Sequence, residues 1–160
     1  MTRRAAPVAL AGAALLAAAG VAVAAVPDPG KYTGKSGQGL KTAVKVNDNH
    51  RVKRFRIDWW APCDRPEATW GKPDTPDGTV DRDLKADPIS QTDDGSFGDT
   101  EKYKGETNTG GYRGHFKMIL SGSFTDRTHA QGKFTIRVRV TKDGVTYDHC
   151  RKTVHWSVGP

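Results

Sequence analysis

The side chains able to do chemistry in this sequence are scattered, and their spacing excludes more than it supports. Five histidines stand at His50, His115, His129, His149 and His155, and none belongs to a His-Glu-x-x-His zinc pair. His149 and His155 share one face of an expected strand but lie about 20 Å apart at strand rise, too far to share a metal. No Gly-x-Ser-x-Gly elbow or comparable nucleophile signature occurs. The carboxylates between Asp64 and Gly110 are numerous enough to pair for acid–base work on a glycan, yet their spacing is that of a soluble loop. Asp74, Asp77, Asp81 and Asp83 gather around an Asp-Gly turn, as in a weak extracellular calcium site, without EF-hand spacing or its closing Glu. The expectation is a non-enzymatic protein with no catalytic residue, no metal and no cofactor.

Cationic and aromatic side chains give a stronger pattern. Strand alternation places Arg54, Arg56, Arg137 and Arg139 outward, and Lys41, Lys45, Lys117 and Arg151 adjoin them if their strands share a sheet. Such a plate attracts polyanions by counterion release, so its binding weakens with salt. The partners it suits are an anionic cell-wall polymer, an acidic polysaccharide, lipid headgroups, free DNA or another extracellular protein. The same alternation also keeps a sheet face wet and blocks edge pairing, and both readings stand at this point. Trp60 has the parity opposite to Trp59, and Trp70 stands among Gly, Pro and Asp; exposed rings there would stack on sugars, and covered ones would pack under a loop.

The elements that must position these groups follow from length and patterning. The chain has 160 residues, a net charge of +7 and 36% hydrophobic residues, which suits one domain with a real core. Met1–Ala25 carries Arg3 and Arg4, an uncharged Ala/Leu/Val run and a small-residue end, the pattern of a cleaved secretory signal; an uncleaved anchor is the alternative. Residues 26–160 then form one secreted domain with no further stretch of membrane length. In an oxidising compartment Cys63 and Cys150 are expected to form a disulfide closing a loop of about 88 residues.

Beyond the leader, alternation replaces helical periodicity. Phe134, Ile136, Val138 and Val140 share one parity; so do Phe116, Met118, Leu120 and Phe124; so do Phe55, Ile57, Trp59 and Cys63. Asp143-Gly144 marks a hairpin turn. The predicted fold is all-β, an antiparallel two-sheet sandwich or partly open barrel of about eight strands. Residues 64–110 form an acidic excursion, in which 79–84 and 97–103 are expected as edge strands, Ile89 packs inward and Trp70 lies in a loop.

Several short elements carry a resemblance. Tyr32-Thr33-Gly34, then Trp59, Trp60 and Cys63, then Gly95-Ser96-Phe97, Ala130-Gln131-Gly132 and finally Cys150 with Trp156 occur in that order. In this the chain resembles a group of small, uncharacterised, secreted bacterial β-sandwich domains with one disulfide. It departs from them in having Arg151-Lys152 after the last cysteine and a longer acidic stretch over 64–87. The resemblance implies fold and location and carries no activity. The functional expectation is a secreted binding module at the cell envelope or extracellular matrix, with a structural or protein-interaction module as the alternative and a small hydrolase as the least favoured.

Overall fold

The structure is a computed structural model that describes residues 25–65, 69–70, 79–83, 90–91, 95–106 and 111–160. The leader reading, apart from Ala25, and Ile89 lie outside these residues. So do Asp74 and Asp77 of the carboxylate cluster and the side chains of Trp70, Asp81 and Asp83. No helix among the described residues is long and apolar enough to cross a membrane.

The alternating segments all become strands. They are β1 (Gly30–Ser36), β2 (Lys41–Val46), β3 (Val52–Asp58), β4 (Ala61–Pro62), β5 (Thr69–Trp70), β6 (Thr79–Asp83), β7 (Ser90–Gln91), β8 (Ser96–Glu106), β9 (Tyr112–Phe124), β10 (Ala130–Lys142) and β11 (Val145–Gly159). Eight of them are five residues or longer. Nine form one antiparallel sheet in the order β6-β3-β2-β1-β11-β10-β9-β8-β7, and β4 pairs with β5 beside it. The acidic excursion therefore supplies strands: β6 is an edge beside β3, and β8 pairs with β9 along its whole length. Trp70 sits in β5 opposite Ala61 rather than in a loop.

Of the two architectures predicted, the single sheet curls into a nearly closed barrel. Phe55 on β3 and Trp156 on β11 are three strands apart, about 14 Å in a flat sheet. Their ring centroids nevertheless lie 5.3 Å apart. Phe97 on β8 reaches the same indole from the other side at 5.9 Å, also across three strands. The inward parity of every long strand converges on this aromatic centre, with Phe134, Ile136, Val138, Val44 and Trp59 nearly inaccessible. Curling the sheet about Trp156 requires small residues where the indole crosses its neighbours. Gly132 faces Trp156 across one strand pair and Gly122 across the other, so the indole lies over a glycine pair.

Local chemistry sets the connections. Asp143 and Gly144 both have positive φ (51° and 81°), the two-residue turn whose twist matches a right-handed hairpin. At the β9–β10 turn the Asp126 carboxylate accepts from the Thr128 and His129 backbone N–H groups and from both their side chains. The Thr128 backbone N–H is the main cause that holds the Asp126 carboxyl down to about 2, with His129 adding to it. The residues before β1 are tied to this turn: Asp28 N–H donates to the Arg127 carbonyl (2.8 Å), and the Arg127 guanidinium donates to the Asp28 carboxylate (3.0 Å).

Cys63 and Cys150 form the expected disulfide, spanning a sequence separation of 87. The bridge fastens the segment after β4 to β11, and the Asp64 N–H continues the contact by donating to the His149 carbonyl (2.9 Å).

Candidate functional site

The four outward arginines do not form one plate. Arg137 and Arg139 lie on β10 and Arg54 and Arg56 on β3, four strands away around a curled sheet. The two pairs also differ in setting. Arg54 stands in register with Asp83 and Arg56 with Asp81, and Arg56 Nε is 3.9 Å from the Asp58 carboxylate. The Arg56–Asp58 contact is an ordinary exposed ion pair on a sheet surface.

Arg137 faces Lys117 and Arg151, and Arg139 faces His115 and His149. Cross-strand register places Lys102, Lys117, Arg137 and Arg151 in one row over β8, β9, β10 and β11. The next outward row is Lys104, His115, Arg139 and His149. Two rows of four basic positions thus cover a patch about 14 Å across the strands and about 7 Å along them. The residues between the rows, Tyr103, Phe116, Val138 and Cys150, have the opposite parity, so the disulfide lies behind the basic surface.

Strand edges do not account for the middle of this arrangement. β9 and β10 are each hydrogen-bonded on both sides along the basic rows, so there is no open edge there for Arg137 and Arg139 to block. Like charges directly opposite one another destabilise a sheet, so the row of Lys102, Lys117, Arg137 and Arg151 opposes stability rather than serves it. Their electrostatics are visible at His115. Loss of hydration lowers its pKa below 6.5, and Arg139, Lys104 and Arg113 lower it further.

The rows line a shallow concavity of about 800 Å³. A second, of about 770 Å³, shares Lys104, His115 and Arg139 and continues towards the β10–β11 turn. Among the described residues one carboxylate lines the first: Asp64, whose Oδ2 is 3.9 Å from His149 Nδ1 and which the neighbouring disulfide holds at the rim.

The aromatic candidates separate. Trp60 is half-buried, its backbone carbonyl accepts from Gln38 Nε2 (2.9 Å), and the Lys152 ammonium lies 5.4 Å from its ring centre. That is a ring packed under a cation whose strand parity is opposite to that of the basic rows. For Trp70 only the backbone position in β5 is described. No group of three or more His, Cys, Asp or Glu among the described residues is placed to hold a metal ion.

Sequence reading missed Lys102, Lys104 and His115 as members of the site. The lysines fall inside a segment whose net charge is acidic, which hides that Asp99 and Glu101 take the opposite parity. The alternation Lys-x-Lys was the available signal. His115 and Lys117 were readable as outward, but not the register that sets them against Arg139 and Arg137.

No protein-family model matches this chain, and no curated protein or solved structure matches it either.

Proposed function

We propose that the protein is an exported, non-catalytic binding module of the cell envelope or extracellular matrix, and that it holds anionic polymer on the outer face of β8–β11. One observation carries the reading: two cross-strand rows of four basic positions line a single concavity, with one carboxylate at its rim among the described residues. Export is supported by the leader pattern at the N-terminus and by the disulfide, a bond that persists in oxidising compartments. The fixed backbone register matters because it pre-sets the spacing of the cations. Only side-chain rotamers then need ordering when the polymer binds.

The test is retention of the whole protein on immobilised dextran sulfate across a salt series. Binding is expected to fall linearly in log–log form, as counterion release requires. Arg137→Glu with Arg139→Glu removes two contacts and adds two repulsions, about 2 kcal/mol at exposed-pair strengths. Affinity should therefore drop roughly thirtyfold, with a shallower salt slope. The matched reversal Arg54→Glu with Arg56→Glu, four strands away, should change it less than about threefold. Equal effects of the two reversals would show that net charge, and not this face, drives binding. Undiminished retention of the β10 reversal would remove the proposal.

A further inference from the structure

The basic rows are one end of a longer surface. Continuing the same register along β8–β11 gives a row of Thr100, Ile119, Thr135 and Thr153, then Gly98, Ser121, Lys133 and His155, then Ser96, Ser123, Gln131 and Ser157. Together with the two basic rows this makes twenty outward positions, and none of them is Asp or Glu. The far rows line a concavity of their own, about 970 Å³, to which Lys35 of β1 contributes opposite Ser157. From the Gln131 row to the Arg139 row is eight residues, about 27 Å along the strands.

This face is graded. One end is cationic; the other is rich in hydroxyl and amide groups, with Ser121, Gln131 and Ser157 exposed. In the middle, the Thr135 and Thr153 hydroxyls bond each other at 2.9 Å. A uniformly charged polymer such as polyphosphate matches only the first end. Single-stranded nucleic acid needs a run of rings on which successive bases stack, and the twenty positions offer only His115, His149 and His155, two of them in one row, with Tyr103 reaching the concavity between the rows. A polymer bearing both anions and hydroxyls matches the whole length, because serine hydroxyls and the glutamine amide both donate and accept, as sugar hydroxyls do. Resting on the proposed anion-binding reading, we infer that the ligand is an acidic polysaccharide lying along β8–β11, its anionic groups over the Arg137 and Arg139 rows and its neutral hydroxyl-bearing part over the Gln131 and Lys133 rows.

The experiment compares the whole protein on alginate, which carries a carboxylate and free hydroxyls on every sugar, inorganic polyphosphate and single-stranded oligodeoxythymidylate at one salt concentration. The variant is Gln131→Ala with Ser157→Ala, two exposed positions in register, with melting temperature checked for each protein. Alginate should bind tightest, and the variant should weaken it about tenfold, the loss of two net hydrogen bonds, while leaving polyphosphate unchanged. If the variant leaves all three polymers unchanged, the polysaccharide assignment fails while the basic-row reading stands. Tighter binding of oligodeoxythymidylate would overturn the assignment in favour of nucleic acid. If none of the three is retained, the anion-binding reading itself fails.

Discussion

Replacing both cysteines, Cys63→Ser with Cys150→Ser, should lower the unfolding free energy by about 4–5 kcal/mol and the melting temperature by roughly 15 °C. The expectation follows from the position of the bridge. It joins residues 87 apart and fastens the chain after β4 to β11, a strand in the middle of the sheet. In the unfolded chain that long loop is free, so closing it removes much conformational freedom from the competing state. Cys150 is also nearly inaccessible, so a serine hydroxyl there must find a partner or remain unsatisfied. Calorimetry of the oxidised wild type beside the double variant reads the effect. An unchanged melting temperature would show that the bridge adds nothing to the barrel. The same variant frees the rim of the basic face, because Asp64 is held there by the neighbouring bridge and by its bond to the His149 carbonyl.

Gly132→Ala should cost about 3 kcal/mol, the upper range for overpacking a core. A β-carbon at Gly132 would lie 2.0 Å from the Ser121 carbonyl oxygen and 2.7 Å from the Trp156 indole. The first is backbone of the paired strand and has nowhere to move without parting β9 from β10. Gly122→Ala meets only rings, those of Trp156 and Phe97 at 2.6–2.7 Å, and should be milder and partly rescued by Trp156→Phe. Gly37→Ala is the control: its nearest neighbour is the His155 carbonyl oxygen at 3.6 Å, and stability should stay within about 0.5 kcal/mol. Thermal unfolding ranks the three. If Gly132→Ala is as stable as Gly37→Ala, the indole does not lie over the glycine pair, and the curled sheet is wrong at its centre.

Much of this fold is legible in single strands. The parity of Phe134, Ile136, Val138 and Val140 separates core from surface, and so does that of Phe116, Met118 and Leu120, because period-two alternation is a property of one strand by itself. The Asp143-Gly144 hairpin and the cysteine pairing are legible for similarly local or compositional reasons. Relations between strands are another matter. Alternation is the same for two stacked sheets and for one curled sheet; the choice rests on which rings meet across the interior, as Phe55 and Phe97 meet on Trp156.

The site is readable to the same degree. Arg137, Arg139, Arg151 and Lys117 are correctly outward by parity, but grouping them with Arg54 and Arg56 assumed neighbouring strands that lie four apart. Their true neighbours, Lys102 and Lys104, belong to a stretch that is acidic on average and basic on one face. Averaging charge along the chain mixes the two faces of a strand, and the register of β8 on β9 separates them.

The central claim is that anions bind on the rows that contain His115, and nuclear magnetic resonance of the imidazole tests it at the residue itself. In the free protein His115 should titrate below its ordinary 6.5, because lost hydration and the surrounding Arg139, Lys104 and Arg113 disfavour the proton. Saturating dextran sulfate, which stays ionised over the titration, should raise that value. By linkage, affinity then strengthens as pH falls from the bound towards the free pKa, where His115 adds a charge to the face. A His115 pKa that is the same free and bound, under conditions where dextran sulfate is retained, would place the polymer elsewhere and contradict the account.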